Sequence, residues 1–559
     1  MLNIGIDFGS TYTMVSVYRE DTEKLETIIL GTGTPYIPTV VSCEDGNLNG
    51  EILFGREAKE SADEEDYVVY KAFKMLLSED DPAVLSGRGY TPEMTPARIA
   101  ELFLKNLVKK VCNHCGDDTI GCLVIGAPEI WFKGVNTISG RTVLRDICNE
   151  IEAVREVQVV SEPAAASAFF AYNYSIITKT PFEGSILLID YGGGTLDISL
   201  SEVTASRDEE DCQLMEIKVS ERDGAGENVE GRIGKAGIVY MESVIVEAIR
   251  RAGLAGEEDA IPTDNEFYLA VDKLELKIQE GKTKIDDMFE DMGILDLDDL
   301  DVRFASIKYR GEKLEITYAL LVEVYDRVIR GIFQEKLNNM MRLMREKHGI
   351  DCVKTQDPRF KIVLVGGFGN FYLVRKQVRD TFQFSKQDVR QKDIIINQTD
   401  CENAISLGTA LLSAGLIGIK KTAPYSIGIL QFDLEGKCVL DYAFRYKQDI
   451  IPDEKYFHMG SDGKPSKFWI ADNRIDNMII NYEDSDEGAI VLPFKKEFRK
   501  RLQNVVSKGK PIAEIGFSLD SSEILTIWIR EFQGSAKSIP LGKFEEMFNT
   551  SKLTRVVDL

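Results

Sequence analysis

The feature that most constrains the fold of this chain is a strand-and-turn unit that occurs three times. Each unit is an apolar run typical of a buried strand, followed at once by a glycine-rich turn. The apolar runs are residues 2–7, 186–190 and 362–365. The first two units share the pattern Ile-Asp-x-Gly and lie about 180 residues apart, roughly one domain length. We therefore interpret them as one supersecondary unit used in each of two halves, with a ligand cleft between the halves.

Helical patterns alternate with these strands, which indicates an α/β fold class. The helical patterns cover residues 95–112, 135–151, 240–252, 265–279 and 318–347. After about residue 415 the pattern changes to short alternating β-runs, with one plausible short helix at 496–506. We predict a ligand-binding first domain over residues 1–415, with lobes at about 1–185 and 186–415, a linker at 416–422, and a β-rich domain at 423–559 that binds a substrate or a partner.

Composition and charge exclude several functions. The formal net charge of −25 argues against nucleic-acid and anionic-membrane partners, which favour patches of Lys and Arg. The chain contains no run of about 18 apolar residues that would predict a membrane span, and its first residues form a strand pattern instead of a signal peptide. The nine cysteines are too scattered for a disulfide framework. We expect a cytoplasmic monomer with reduced thiols.

Two further residue types narrow the chemistry. The three histidines lie in no motif, so we do not expect histidine-based acid–base or triad catalysis. Cys112 and Cys115 form a C-x-x-C pair on the last turn of a predicted helix. No second ligand pair accompanies them, so we do not expect a zinc site.

The first glycine-rich turn carries the residues that a phosphate needs. Asp7 ends the strand, Gly9 allows a tight turn, and Ser10 and Thr11 offer main-chain and side-chain donors. Close backbone approach, donors and a carboxylate suit a β- or γ-phosphate with its hydrated magnesium ion. On its own, however, an Asp-x-Gly sequence also fits a plain hairpin turn.

The second turn is harder to explain as a hairpin alone. Three consecutive glycines between two strands weaken both strands through their backbone entropy. They are better explained by a ligand that approaches the backbone, with Asp190 and Asp197 as carboxylates. The two loops together predict a pair of opposed phosphate clamps. The third turn, residues 366–369, is weak evidence for a nucleotide site when taken alone. Because it follows two predicted phosphate loops along the chain, it suits an adenosine-binding turn.

Five ordered stretches resemble the actin/hexokinase/heat-shock ATPase superfamily and, within it, the seventy-kilodalton heat-shock chaperones of the DnaK type. They are the opening at 4–12, the Glu-Pro-x-Ala-Ala segment at 160–168, the second phosphate loop at 188–197, the adenosine loop at 362–367 and the closing helix at 404–410. The resemblance implies an actin-like ATPase of two lobes with ribonuclease-H-like halves, bound ATP or ADP with Mg²⁺, and slow hydrolysis of ATP.

The resemblance also implies roles for the matching positions. Asp7 and Asp190 would hold magnesium, Glu162 would lie beside its shell or the attacking water, and Thr195 and Asp197 would position the nucleophile. The nucleotide would be bound by Gly9, Ser10, Thr11, Tyr12, Gly192, Gly193, Gly194, Thr195, Gly234, Lys277, Gly366 and Gly367.

Three positions depart from the family pattern. A gapless alignment places Phe73 at the family's catalytic lysine, with Lys74 beside it. We predict that Lys74 takes this role, although a solvated helix lysine explains it equally well. The adenine-binding helix, which contains Lys277, has a different order of charges, and Asn370 aligns with the family's arginine.

The C-terminal region is faintly similar to the family's β substrate-binding domain, and we expect it to lack the helical lid because the chain stops soon after the last β-runs. The leading hypothesis is an ATP-dependent chaperone-like protein that binds unfolded or extended peptide. The alternatives are a nucleotide-binding scaffold or reactivase for one dedicated protein partner, a small-molecule kinase on the same fold, and a filament-forming actin relative. The β-domain and the Glu-Pro-x-Ala-Ala segment argue against the last two.

Overall fold

The fold comes from a computed structural model of the full chain. It describes residues 2–555 except for 32, 65, 80, 134–137, 208–212, 227, 230–231, 234–235, 255–265, 279–302, 354–356, 384–397, 433–437, 460–463, 465–467, 470–476, 482–489, 494–511, 532–538 and 544–553. Two compact units make up the chain. The first contains Met1–Ile130 and Asp146–Gly418, and the second contains Trp131–Arg145 and Ile419–Leu559.

The first unit begins with a sheet of buried strands. Its strands are β1 (Leu2–Phe8), β2 (Tyr12–Arg19), β3 (Lys24–Thr27), β4 (Ile37–Pro38), β8 (Ile120–Ala127) and β9 (Val154–Ser161). Their order is β3-β2-β1-β8-β9, with β4 paired to β2. β1 is antiparallel to β2 and parallel to β8, which is parallel to β9. A separate three-stranded sheet contains β5 (Val40–Glu44), β6 (Ile52–Phe54) and β7 (Tyr67–Lys71).

A second sheet of the same unit repeats this arrangement. Its strands are β10 (Gly184–Tyr191), β11 (Leu196–Arg207), β12 (Gln213–Ala225), β17 (Phe360–Val365) and β18 (Ile417–Ile419), in the order β17-β10-β11-β12-β18. β10 forms a hairpin with β11 and runs parallel to β17, as β1 does with β2 and β8. Two short hairpins are formed by β13 (Asn228–Val229) with β14 (Arg232–Ile233), and by β15 (Arg303–Tyr309) with β16 (Glu312–Thr317).

Helices fill the intervals between these strands. They are α1 (Arg56–Glu60), α2 (Pro82–Gly87), α3 (Pro96–Cys115), α4 (Ile130–Lys133), α5 (Ile138–Asn149), α6 (Glu162–Thr178), α7 (Gly237–Arg251), α8 (266–278), α9 (Tyr318–Tyr325), α10 (Gly331–His348), α11 (Tyr372–Phe382) and α12 (Gln398–Ser413). One π-helical turn, Asp326–Arg330, joins α9 to α10. α3 begins where the side chain of Thr95 caps the amide of Arg98, and it ends at Gly116 in the left-handed conformation.

Glycine allows α12 to pack closely against α6 and β1. A side chain at Gly408 would collide with the carbonyl of Ala165, and one at Gly5 would collide with the backbone of Ala410. α6 begins at Glu162, where Ser161 caps the helix. The close packing therefore fixes the first turn of α6 relative to β1, and both elements carry candidate site residues.

The second unit is built mainly of antiparallel strands. One sheet has β19 (Ser426–Phe432), β20 (Cys438–Phe444), β23 (Asn477–Asn481), β24 (Ile490–Pro493) and β28 (Thr554–Arg555), in the order β20-β19-β23-β24-β28. The other has β21 (Tyr456–Phe457), β22 (Phe468–Trp469), β25 (Ile512–Leu519), β26 (Leu525–Glu531) and β27 (Ile539–Lys543), in the order β21-β25-β26-β27, with β22 also paired to β25. The helix predicted at 496–506 lies outside the described residues.

Ion pairs join the segment 131–145 to the rest of the second unit. The buried guanidinium of Arg141 donates to the main-chain carbonyl of Glu523 at 2.9 Å and lies 3.7 Å from its carboxylate. Lys421 lies 3.7 Å from the same carboxylate, and Arg145 pairs with Asp520. This division differs from the predicted one, which placed residues 131–145 in the first lobe.

The predicted linker, residues 416–422, contains regular structure. Ile417–Ile419 is the edge strand β18, and Thr422 forms an isolated β-bridge with Asp449. None of the helices that the structure describes combines the length and the apolar character needed to cross a membrane.

Candidate functional site

The three glycine-rich turns of the first unit border one cleft. The cleft has a volume of about 1860 Å³ and is lined by residues that follow β1, β10 and β17, together with residues of α7 and α8. The second and third turns lie side by side because they follow β10 and β17, which are neighbouring parallel strands of one sheet. The carboxyl ends of parallel strands lie at the same sheet edge, where ligands of α/β proteins bind.

The first two turns face each other across the cleft in direct contact. A Cβ at Gly193 would lie 2.7 Å from Thr11 Oγ1, and one at Gly194 would collide with Ser10 Oγ. The second turn is closed by the hydrogen bond from the Gly192 amide to the Thr195 carbonyl, at 2.9 Å. The structure therefore brings the predicted phosphate loops together, and residues 9–12 and 192–195 all line the cleft.

The third turn packs against the second. Gly366 has a φ of +87°, and a side chain there would collide with the carboxylate of Asp190. The Gly369 amide donates to the Tyr191 carbonyl at 2.7 Å. Gly366 and Gly367 both line the cleft, and Gly366 lies beside Asp190.

Four buried carboxylates gather beside the turns. Asp7 lies near the end of β1, Asp190 lies in β10, Asp197 lies in β11 and Glu162 opens α6. Oxygen atoms of Glu162, Asp190 and Asp197 all lie within 4.8 Å of one another. Burial of four acidic groups in one place is costly unless cations compensate for it.

The pKa values of these groups show that cost. Burial raises the pKa of Asp7 to about 7, with a further increase from the charge of Glu162 and an opposing effect of Lys74. Burial and the neighbouring carboxylates also raise the pKa values of Asp190 and Asp197 well above their usual range. The site therefore favours positive charge.

Lys74 supplies one positive charge to this cluster. Its ammonium group forms an ion pair with Glu162, and the two side chains are 3% and 5% exposed. The neighbouring Phe73 packs against Phe8 and Phe103, with ring centroids 6.1 and 6.0 Å apart. The turn that buries both residues begins at Ala72, which adopts the left-handed conformation with a φ of 53°.

The residues present fit a magnesium ion. Asp197 Oδ1 accepts the main-chain N–H of Glu129 at 2.8 Å, whereas the buried Asp197 Oδ2 has no hydrogen-bond partner among the described residues. Carboxylate oxygens are the ligands that Mg²⁺ prefers, directly or through water. The described group consists of Glu162, Asp190 and Asp197, and the prediction that Asp7 and Asp190 hold the metal remains a prediction.

Two of the residues predicted to contact the nucleotide base lie elsewhere than expected. Lys277 is exposed and is not among the described residues that line the cleft, because α8 turns Asp272, Glu275 and Leu276 towards it instead. Asn370 is buried, and its side-chain amide donates to Glu402 at 3.5 Å. Gly234 lies outside the described residues.

Sequence reasoning missed three ion pairs, two at the cleft and one behind it. Lys71 and Lys59 lie 3.2 and 3.6 Å from Asp272 at its rim. Arg222 pairs with Glu129 behind Asp197. The partners are far apart in the chain and lie in no motif, so no local signal could have joined them.

Comparison with known proteins finds similarity to one family. Residues 3–207 match the family model described as Hsp70 protein. The chain is also 21% identical to proteins named "Chaperone protein DnaK" from Thermotoga neapolitana, Thermotoga petrophila and Thermotoga maritima. Each alignment covers 98% of this chain and 80% of the relative.

The family match spans the first two phosphate loops, Lys74, Glu162 and Asp197. The Hsp70 family implies an actin-like ATPase fold of two lobes, which agrees with the two similar sheets of the first unit. The N-terminal part of the chain therefore resembles the Hsp70 family, and the whole chain is similar to DnaK-type chaperones.

Proposed function

We propose that this chain is an ATP-dependent, chaperone-like protein that binds Mg-ATP in the cleft and hydrolyses it slowly. The contact between the two glycine loops, in a cleft that Asp7, Glu162 and Asp190 also line, carries the proposal. Loops of this kind can offer main-chain N–H and hydroxyl donors on both sides of one narrow space. That space suits the β- and γ-phosphates better than a sugar or a peptide.

Each group of residues at the cleft would have its own role in phosphoryl transfer. Ser10 and Thr11 would hold the phosphates from one side, and the 192–195 turn would hold them from the other. Lys74 would neutralise charge as the γ-phosphoryl group moves to water, and Glu162 and Asp197 would orient that water. A bound magnesium ion would neutralise the phosphate oxygens and share the charge of the carboxylates. Because phosphoryl transfer depends mainly on placement and charge, the absence of a histidine motif is no obstacle.

The β-rich second unit provides the second half of the proposal. We propose that it binds extended peptide or one dedicated protein partner, and that nucleotide turnover is coupled to this binding. The strands are antiparallel and short, and a sheet of this kind can hold an extended segment through main-chain hydrogen bonds. Names of the DnaK relatives support a chaperone role for the family.

ATP turnover of the purified full chain tests the proposal. It should be measured with Mg²⁺ alone, with an unfolded peptide, and with a panel of sugars, and the products should be analysed in each case. Slow release of phosphate that the peptide accelerates supports the chaperone-like function. Phosphorylation of a sugar would instead establish a small-molecule kinase. Turnover that no peptide changes would favour a dedicated partner, and no turnover at all would refute the ATPase.

A further inference from the structure

A buried ion pair joins the two sheets of the first unit behind the candidate site. Glu129 follows β8 of the first sheet, and Arg222 lies in β12 of the second sheet. The guanidinium of Arg222 donates to the carboxylate of Glu129, and the two side chains are 13% and 1% exposed. The pair therefore connects the two halves that the cleft separates.

The same glutamate also holds a candidate catalytic carboxylate. Its main-chain N–H donates to Asp197 Oδ1 at 2.8 Å. Arg222 and Asp197 lie on one face of the second sheet, because Arg222 is the cross-strand partner of Ser199 and Gly224 that of Asp197. The three residues thus form a chain of contacts from Arg222 through Glu129 to Asp197.

Stability alone is a poor reason for such a pair. Burying an arginine and a glutamate together costs desolvation energy that their attraction often only offsets, and an apolar pair of equal size would serve the packing as well. A role in placing Asp197 explains the arrangement better. Asp197 Oδ1 is held from the first sheet, and its buried Oδ2, which has no hydrogen-bond partner in the described part of the chain, lies beside Glu162 and Asp190.

We propose that Arg222 and Glu129 are positioning residues that hold Asp197 in place for ATP hydrolysis across the two lobes. Arg222 fixes the Glu129 carboxylate, and this keeps the Glu129 main-chain N–H aimed at Asp197. The proposal rests on the proposed ATPase function of the cleft. It predicts that loss of Arg222 slows the chemical step more than it weakens nucleotide binding, because neither residue is among those that line the cleft.

Single-turnover hydrolysis and nucleotide affinity, measured separately, test this proposal. Arg222→Gln should slow single-turnover hydrolysis about 10- to 100-fold, the range for losing a placed catalytic contact. Its dissociation constants for ATP and ADP should stay within about threefold of the wild type. Arg222→Lys should recover a large part of the rate, since it restores the cation. Glu129→Gln keeps the main-chain N–H and an acceptor for Arg222, so it should slow hydrolysis less than Arg222→Gln does.

A second ion pair of the same strand provides the matched control. Lys336 lies 3.1 Å from the buried Asp223, which is next to Arg222 and points to the other face of β12. Lys336→Gln should therefore leave both the single-turnover rate and the affinity unchanged.

The outcomes separate this inference from the proposed function. If the wild type hydrolyses ATP and the Arg222→Gln variant hydrolyses it within threefold of the wild-type rate, the positioning role is overturned and the ATPase function stands. An Arg222→Gln variant that binds ATP tenfold more weakly but turns over normally at saturation would also overturn it. A wild type without turnover would overturn the ATPase and this role with it. If Arg222→Gln does not fold, Glu129→Gln provides the same comparison of rate and affinity.

Discussion

The ammonium group of Lys74 and the carboxylate of Glu162 form a buried ion pair at the base of the cleft. The pair joins a short turn after β7 to the first residue of α6. It also provides positive charge beside Asp7 and Asp190, whose pKa values the attraction of Lys74 lowers while burial raises them. Lys74 is thus placed to act on the same space as the carboxylates.

Lys74→Ala should reduce ATP hydrolysis about 10²- to 10³-fold, the usual effect of removing one electrostatic contact to a transition state. ATP should still bind, because the glycine turns proposed to hold the phosphates stay intact. The rate should be measured in single turnover and the affinity by calorimetry. Lys105→Ala is the control, since Lys105 forms an exposed i,i+4 pair with Glu101. Wild-type turnover in Lys74→Ala would show that this lysine has no catalytic role.

The position of Lys74 marks a limit of prediction from sequence. A gapless alignment puts Phe73 at the family's lysine, and neither periodicity nor charge distinguishes the two residues. The left-handed conformation of Ala72 opens a tight turn in which both side chains become buried, one against aromatic rings and one against Glu162. Such a local change of backbone direction depends on the packing around it and leaves no pattern in the chain.

The strand-and-turn units, in contrast, could be predicted from sequence because each depends on a short run of neighbouring residues. Apolar runs predicted β1, β10 and β17, and the glycines predicted the turns that follow them. The helix near residues 265–279 was also predicted, but its orientation was not. A change of one or two positions on a helix rotates a side chain by about 100–200°, and this is why α8 presents Glu275 and Leu276 to the cleft in place of Lys277. The grouping of residues 131–145 with the β-rich unit depends on long-range ion pairs and could not be predicted.

Asp190→Asn should abolish hydrolysis and leave the fold intact. Asp190 lies within the carboxylate group that could hold a metal, and the amide keeps its size while removing its charge. The nucleotide-free variant should also be more stable at neutral pH, because burial and the acidic neighbours raise the pKa of Asp190. Turnover and thermal unfolding should be measured together. A variant that retains wild-type turnover would refute the assignment of this site.

The raised pKa of Asp7 predicts how stability depends on pH. Its pKa rises from 3.8 to about 7 on folding, so the folded chain holds a proton that the unfolded chain releases across this range. Stability therefore falls as pH rises from about 4 to about 7 and then levels off. Asp7→Asn should remove this contribution, up to about 4 kcal/mol. The gain in unfolding free energy over the wild type should thus grow with pH up to about 7.

The exposed Glu335 supplies the control for that pH series. Glu335→Gln should follow the wild-type curve at every pH. A gain in Asp7→Asn that is constant with pH, or that grows as pH falls, would contradict the cause assigned to the shift.

Gly194→Ala should separate the two phosphate loops. A side chain at this position would collide with Ser10 Oγ and lie 3.2 Å from Met75 Cγ. The loops would have to move apart, so ATP affinity should fall at least about tenfold, or about 1.4 kcal/mol, while the circular dichroism spectrum stays unchanged. Gly331→Ala is the control, because a Cβ there meets nothing within 4 Å and alanine favours the helix by about 0.5–1 kcal/mol. Unchanged affinity in Gly194→Ala would show that the loops do not clamp the phosphates.

Arg141→Met should destabilise the second unit selectively. Arg141 is buried against Phe132 and Glu523, and removal of one partner of a buried charge pair typically costs about 3–5 kcal/mol. All three tryptophans of the chain, Trp131, Trp469 and Trp528, belong to this unit. Tryptophan fluorescence therefore reports its unfolding apart from that of the first unit. In the double variant Arg141→Met/Glu523→Gln the carboxylate that would be left with Lys421 alone is also gone, so part of the loss should be recovered. If the two changes instead add their losses, the interaction between Arg141 and Glu523 does not hold the segment 131–145 in this unit.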